Sequence, residues 1–532
     1  MSYGRTTLTW PSAFSLLAGL VPGVLLKIAL VAQSAIDFTS DEAVVALMAR
    51  HITQGQWPLF YYGEAYVGSL GATVIAGAFL LLGESVTTAR TVQIALYAGT
   101  IWFTALLAVR LFGPRAIKAT VLMMALPPVT VTLYTTAGIG AYGETLFLGA
   151  VLLWLGHRLT HEWSGKWLAW LLWGAVAGLA FWSFGLIVVY ILPVVALWLL
   201  WSDHRHWRYY LLSALAFLLF SSPWWAYDLT HNHAGFRVLL NPSDPLQGRL
   251  SSPLATRFVC FWLLGLPALV GLRFPWSSDY LLIYLAPLVL TFYIIVLVSL
   301  RRQWFHLSAP GRTGVLLITL IAASSAILLL GTRFGVDVTG RYLLPLYPLL
   351  CIAVGGWWSG LSRHALPWGR LALVLMIAFH LAGVALGVKV PTGLTTLYIP
   401  AQQIGNAYDD ELIDFLLSHG MPYGYSHHWV SFKIAFLSHE QVILAPLLPY
   451  QNVPGYDLDR ANRYPPYTRL VEAAANPVYV TSNQPWLDTM LRQRFTEMGI
   501  MFEETSIGPY HVFHYLSRSI SPKRLDLFAT DR

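Results

Sequence analysis

Long apolar runs recur along this chain, most of them close to the ~20 residues an α-helix needs to cross a hydrocarbon core about 30 Å thick. Eleven runs, at 12–33, 91–109, 119–134, 142–156, 167–181, 186–201, 210–225, 281–300, 315–331, 343–358 and 371–388, are separated by loops, of which 34–90 and 226–280 are long. A helix that is apolar all round must be buried or face lipid, so this pattern excludes an ordinary water-soluble fold. The composition agrees, with 56% hydrophobic and only 11% charged residues. A net charge of +7 suits Lys and Arg gathered in cytoplasmic loops better than a nucleic-acid surface. Cys260 and Cys351 stand in apolar surroundings and form neither a disulfide framework nor metal-ligand spacing.

The basic loops orient the chain. Arg110, Arg115 and Lys118, then Arg158 and Lys166, Arg205 with Arg208, Arg301 with Arg302 and Arg312, and Arg363 with Arg370 are the main clusters. All fall on one side only if two short segments do not cross fully. These are the Gly-rich stretch 70–82 and the stretch 261–272, broken by Gly265, Pro267 and Gly271. Eleven spans then place the N-terminus in the cytoplasm and the C-terminus outside; letting both short segments cross gives thirteen. No small-residue cleavage site follows the first run, which reads as a retained span. The expected organisation is a transmembrane region over 1–388, with a first outer loop at 34–90, followed by a soluble part at 389–532. That last part holds 25 of the 59 charged residues and alternates strand-like with helix-like segments, which predicts a small α/β layer.

Chemistry is concentrated in the first outer loop. In Asp37-Phe38-Thr39-Ser40-Asp41-Glu42-Ala43, Thr39 and Glu42 have capping-box spacing. Ala43, Val44, Leu47, Met48 and Ile52 follow at helical spacing, which predicts an amphipathic helix on the membrane surface with Arg50 pointing elsewhere. The cap gives Glu42 a structural task, and Asp37 marks the interface or helps hold a cation. Asp41 is left in the first helical turn, where the helix dipole favours an ionised carboxylate that can act as a base. The stretch from Trp57 to Leu70 is rich in aromatics and glycine, and Tyr62, Glu64 and Tyr66 are candidate contacts for a sugar or lipid head group. Tyr142 and Glu144 open a later run; an acid inside an apolar run needs a partner or a function. His231 and His233, with Asp228, are the weak candidates for a divalent metal. His427-His428-Trp429 reads as packing or acceptor contact.

These residues carry a resemblance. Asp41-Glu42-Ala43 after a first span, then Gly68-Ser69-Leu70, Leu82-Gly83-Glu84-Ser85 with Arg90, and Arg341-Tyr342-Leu343-Leu344-Pro345-Leu346-Tyr347-Pro348 resemble membrane glycosyltransferases of the GT-C fold. The nearest groups are the protein O-mannosyltransferases and the bacterial aminoarabinose transferases. The resemblance implies an inverting enzyme that takes a sugar from a polyprenyl-phosphate carrier, with Asp41 as the base on an acceptor hydroxyl. Arg341 and Arg333, with Tyr342, are then candidates for the donor phosphate. It also implies a bacterial inner (cytoplasmic) membrane, lipid contacts, an acceptor that is a protein, a lipid or a glycan, and no nucleic-acid partner. The aminoarabinose transferases carry Glu-Lys-Pro-Pro where this chain has Gly68-Ser69-Leu70, so metal dependence is open. The competing reading is a transporter or flippase for a lipid-linked or anionic substrate; it calls for ionisable groups at mid-span and inverted repeats.

Overall fold

The computed structural model describes residues 10–201, 207–240, 253–452 and 458–527; Arg205 lies outside the described residues. Five helices, Ser15–Ala32, Val86–Phe112, Ile283–His306, Ala309–Gly331 and Leu366–Val388, are long and apolar enough to cross a membrane. The pair Trp207–Phe220 and Ser222–Thr230, bent by 58°, passes the same test as one broken span. The chain is an integral membrane protein. Shorter apolar helices fill the bundle, among them Leu70–Leu82, Ala116–Ala125, Trp167–Ser183 and Leu346–Ser359. The 13-residue helix Leu70–Leu82 rises only ~20 Å, too little for a hydrocarbon core of about 30 Å.

The run at 119–134, expected as one span, is two helices, Ala116–Ala125 and Val129–Tyr134. Leu126-Pro127-Pro128 separates them, since proline has no N–H and its ring clashes with the preceding turn. The polar groups at the end of the second helix are used. Lys27, buried within the first span, donates to the Thr132 carbonyl at 3.1 Å and to the Thr135 and Thr136 hydroxyls at 2.7 and 2.8 Å. An ammonium in an apolar bundle requires such acceptors.

The carboxyl-terminal part is an α/β layer. Five strands, β1 (Tyr423–Tyr425), β2 (Ile443–Ala445), β3 (Val478–Ser482), β4 (Glu503–Ile507) and β5 (Tyr510–His514), form one sheet in the order β2-β1-β3-β5-β4. β1 pairs in parallel with β2 and β3, and the intervening helices His428–Leu437 and Pro465–Glu472 make the crossovers. β4 and β5 form an antiparallel hairpin closed by Gly508-Pro509, with Gly508 at φ +52°, the backbone a two-residue hairpin turn favours.

The helix Ser40–Thr53 does not lie on a membrane surface. It is buried along nearly its whole length, wedged between Leu70–Leu82 and the carboxyl-terminal helix His428–Leu437. Its amphipathic spacing reports one buried face correctly. The opposite face is covered by a segment nearly 400 residues away in sequence, with Lys433 N–H donating to Ser40 Oγ at 3.2 Å. Arg50, expected to point away, is buried. It pairs with Glu84 and Glu440, donates to the Phe436 carbonyl at 2.9 Å and stacks 4.8 Å from the Phe436 ring.

Candidate active site

The loop after the first span, 34–90, builds one wall of a cavity. From Phe60 to Gly68 it folds into a tight hairpin, with Tyr61 N–H donating to the Val67 carbonyl at 2.8 Å and Gly63 turning at φ +73°. The hairpin docks on the membrane region where the Trp167–Ser183 helix ends, Gly68 N–H donating to the Ser183 carbonyl at 2.9 Å. A Cβ at residue 68 would stand 2.4 Å from the Trp182 carbonyl oxygen, so glycine is needed for the approach. Tyr61, Tyr62, Glu64, Tyr66 and Val67 are thereby turned onto a cavity of about 140 Å³. Asp41 and Val44 reach it from the Ser40–Thr53 helix, Tyr142 from the start of its helix, and Arg341 with Tyr342 from the turn preceding Leu346–Ser359. Arg463, from the carboxyl-terminal layer, closes it. It packs over Gly63, where a Cβ would meet Arg463 Cδ at 2.6 Å, and pairs with Glu64.

Seven residues singled out from the sequence therefore line one cavity: Asp41, Tyr62, Glu64, Tyr66, Tyr142, Arg341 and Tyr342. The others go elsewhere. Glu42 is not a cap. The Thr39 side chain makes no cap hydrogen bond and its hydroxyl is unpartnered. Glu42 instead accepts from Arg90 Nε at 2.9 Å and Nη2 at 2.7 Å, and from Gly138 N–H at 3.1 Å. A buried guanidinium outcompetes a backbone N–H for a carboxylate, because a charge-assisted bidentate pair is the stronger bond. Asp37 tethers the loop to the entry of the carboxyl-terminal part, accepting from Thr395 Oγ1 at 3.1 Å, with its N–H on the Leu394 carbonyl at 2.8 Å. Burial pushes its carboxyl above the usual range. Glu144 lies behind the cavity, accepting from Gln93 at 3.2 Å beside Gly71. The Arg333 side chain lies outside the described residues.

His231 and His233 do not assemble a metal site. His231 bonds the Tyr227 carbonyl at 3.0 Å and His233 pairs with Asp228 at 2.8 Å. Among the described residues no three His, Cys, Asp or Glu side chains gather as a metal cluster. Around Asp41 stand His428 and the guanidiniums of Arg463 and Arg341, and the other carboxylate on the cavity wall, Glu64, is paired with Arg463.

Asp41 has acquired a partner that sequence pattern did not pair with it. His428 Nε2 stands 3.2 Å from Asp41 Oδ1. Burial raises the Asp41 carboxyl, but the hydrogen bond from His428 and the charges of His428, Arg463 and Arg341 outweigh it, leaving the group below its ordinary value. Asp41 is therefore ionised at neutral pH. Arg341 is 3.3 Å from Asp337, whose carboxylate also accepts from Gly340 N–H at 2.9 Å; this fixes the guanidinium at the cavity wall.

A second network locks the carboxyl-terminal layer onto the loop. Glu440 bonds His51 Nε2 at 3.1 Å and the Tyr467 hydroxyl at 2.7 Å, and pairs with Arg50 at 3.3 Å; His51 Nδ1 bonds the Tyr62 hydroxyl at 2.8 Å. Burial raises Glu440, yet its hydrogen bonds to His51 and Tyr467 and the charge of Arg50 bring it down to about 2. A depressed carboxyl contributes stability above its unfolded value and loses it as pH falls through the folded value. The expected result is a stability slope between pH ~4.5 and ~2 worth about 3 kcal/mol at most. Thermal unfolding followed against pH checks it, with Glu440→Gln expected to flatten that slope.

The sequence profile of the dolichyl-phosphate-mannose-protein mannosyltransferase family matches residues 68–227. The structure superposes on ArnT from Cupriavidus metallidurans bound to undecaprenyl phosphate with a TM-score of 0.60, covering 94% of this chain and 97% of that one at 15% identity. This chain has the GT-C fold. The archaeal oligosaccharyltransferase AglB from Archaeoglobus fulgidus, in complex with an inhibitory peptide and a dolichol-phosphate, matches at TM-score 0.54 and 13% identity, covering 96% of this chain and 75% of that one. No curated protein matches the chain. Within this fold the cavity lies where the loop 34–90, the starts of the helices Tyr142–His161 and Leu346–Ser359, and the carboxyl-terminal layer converge. His428 and Arg463 were missed as site residues because neither stands in a motif. The only sequence signal was His427-His428 heading a helix in an otherwise apolar stretch.

Proposed function

We propose that this protein is an integral-membrane, inverting glycosyltransferase that moves a sugar from a polyprenyl-phosphate donor to an acceptor hydroxyl on the outer face of the membrane. The observation that carries the reading is the pairing, in one cavity, of an ionised carboxylate and a guanidinium from the head of a membrane helix. Glycosyl transfer from a phosphate asks for a base at the attacking oxygen and a cation at the leaving oxygen. Asp41 takes the acceptor proton, the acceptor oxygen attacks the anomeric carbon from the face opposite the phosphate, and the polyprenyl phosphate departs against Arg341. Attack from that face inverts the anomeric centre. Tyr62, Tyr66, Tyr142 and Tyr342 offer ring faces and hydroxyls to the sugar. The ArnT and AglB structures contain undecaprenyl phosphate and a dolichol-phosphate, which supports a lipid-phosphate donor here.

The acceptor enters from a neighbouring cleft of about 740 Å³ that shares Tyr61, Tyr62, Glu64 and Arg463 with the cavity. The Glu64–Arg463 pair divides the two spaces. In this reading the membrane is a bacterial inner membrane, with the N-terminus in the cytoplasm and residues 389–532 outside.

The test is transfer by purified protein from radiolabelled polyprenyl-phosphate sugars to an acceptor pool. Arg341→Ala is expected to lower kcat/KM for the donor about 10²-fold, with Arg341→Lys recovering part of the loss. Wild-type protein that transfers nothing from any donor, yet carries lipid-linked substrate across proteoliposomes, would establish the transporter instead.

A further inference from the structure

The two oxygens of Asp41 are not equivalent. Oδ1 lies 3.2 Å from His428 Nε2, and among the described residues no hydrogen bond reaches Oδ2. The His428 ring is fixed from several sides. Its Nδ1 is 3.3 Å from the Ala461 carbonyl oxygen, and the Trp429 and Phe432 rings pack at 4.7 and 5.3 Å. The partner of Nε2 is a carboxylate oxygen, which can only accept, so the hydrogen of that contact is carried by Nε2. The ring heads the His428–Leu437 helix, which packs along the helix bearing Asp41. The contact therefore spans the junction between the membrane region and the carboxyl-terminal layer.

We propose that His428 is a positioning residue for the base: its Nε2–H holds Oδ1 and turns Oδ2 toward the acceptor hydroxyl, which makes the reactivity of Asp41 depend on docking of the carboxyl-terminal layer. The proposal rests on the reading of Asp41 as the base. In the step, the acceptor O–H proton passes to Oδ2 and the acceptor oxygen bonds to the anomeric carbon. The bond from that carbon to the phosphate oxygen breaks, and its electron pair leaves with the polyprenyl phosphate. His428 touches none of these atoms.

The charged groups acting on Asp41 are His428 from its helix, Arg463 from the segment after Leu458–Ala461, and Arg341 from the turn before Leu346–Ser359. Glu64 faces Arg463, and Tyr62, Tyr66, Tyr142 and Tyr342 are the phenols on the cavity wall. Both guanidiniums stay when His428 is removed, so the effect on Asp41 is partial.

The experiment compares His428→Ala and His428→Gln in the full-length protein. Glutamine keeps an N–H at the reach of Nε2. His428→Ala is expected to lower kcat about 10- to 100-fold with the acceptor KM changed less than about threefold. The acidic limb of kcat/KM is expected to move to higher pH, and His428→Gln to recover most of kcat. A second readout is independent of turnover: the pH at which a water-soluble carbodiimide labels Asp41, read by peptide mass spectrometry, should rise by the same amount in His428→Ala. An unchanged kcat and labelling pH overturn the proposal, as does a His428→Gln variant as slow as His428→Ala. A labelling pH that moves while transfer does not shows that the pair exists but that Asp41 is not the base. That outcome removes the proposed mechanism and this inference together.

Discussion

Asp41→Asn is expected to slow sugar transfer by about 10²- to 10⁴-fold, the range by which a positioned base contributes, while the protein stays folded. The carboxamide still presents an oxygen to His428 Nε2, so the 3.2 Å contact survives and only the capacity to take a proton is lost. Donor affinity should change little, because Arg341 and the tyrosines around the sugar are untouched. The wild-type pH profile carries the companion result. The Asp41 carboxyl sits below its ordinary value because His428, Arg463 and Arg341 together outweigh its burial. Activity should therefore persist on acidification until the pH falls below the usual carboxylate range near ~4. Initial rates with saturating donor, measured across pH for wild type and variant, check both. Full transfer by Asp41→Asn would falsify the mechanism.

Arg90→Ala should be the most destabilising single change in the loop 34–90. It leaves Glu42, 1% exposed, as a buried carboxylate without its cation, at a cost of about 3–5 kcal/mol. The loss extends beyond the pair. Arg90 also donates to the Ile36 and Asp37 carbonyls at 3.1 and 3.2 Å, and Glu42 holds Gly138 N–H at 3.1 Å, next to the Ile139 and Gly140 that line the cavity. Thermal unfolding in detergent should show a large drop in Tm, with transfer lost in parallel. Combining Arg90→Met with Glu42→Gln removes both charges and should recover much of the stability, since replacing a whole buried pair is far cheaper than breaking one. An Arg90→Ala protein that melts within a degree of wild type would show that the pair carries no such load.

The resemblance to GT-C glycosyltransferases stands. It rested on Asp41-Glu42-Ala43, Gly68-Ser69-Leu70, Leu82-Gly83-Glu84-Ser85 with Arg90, and the Arg341–Pro348 segment, and seven of the residues it and the loop chemistry drew out meet in one cavity. The errors share a cause. The capping box at Thr39 and the surface helix at 40–53 were inferred from local spacing, and local spacing does not register a competitor brought from elsewhere. Arg90 took Glu42 from the cap, and Phe436 with Glu440 took Arg50 from solvent. Pro127-Pro128 was legible as a helix breaker inside 119–134, but run length hid it.

Sequence alone determined that this chain lives in a membrane, that its last 144 residues are charged and α/β in pattern, and that its acids gather after the first span. Those properties are periodic or compositional, and so are written in short windows. Tertiary structure decided which acid faces the cavity and what accompanies it. His428 and Arg463 reach Asp41 only because the carboxyl-terminal layer folds back over the loop 34–90, at a separation of 387 residues for the histidine. No window spans that distance: a base, the group that holds it and the pair that closes its cavity become neighbours only when burial of the Ser40–Thr53 helix brings the two ends of the chain together.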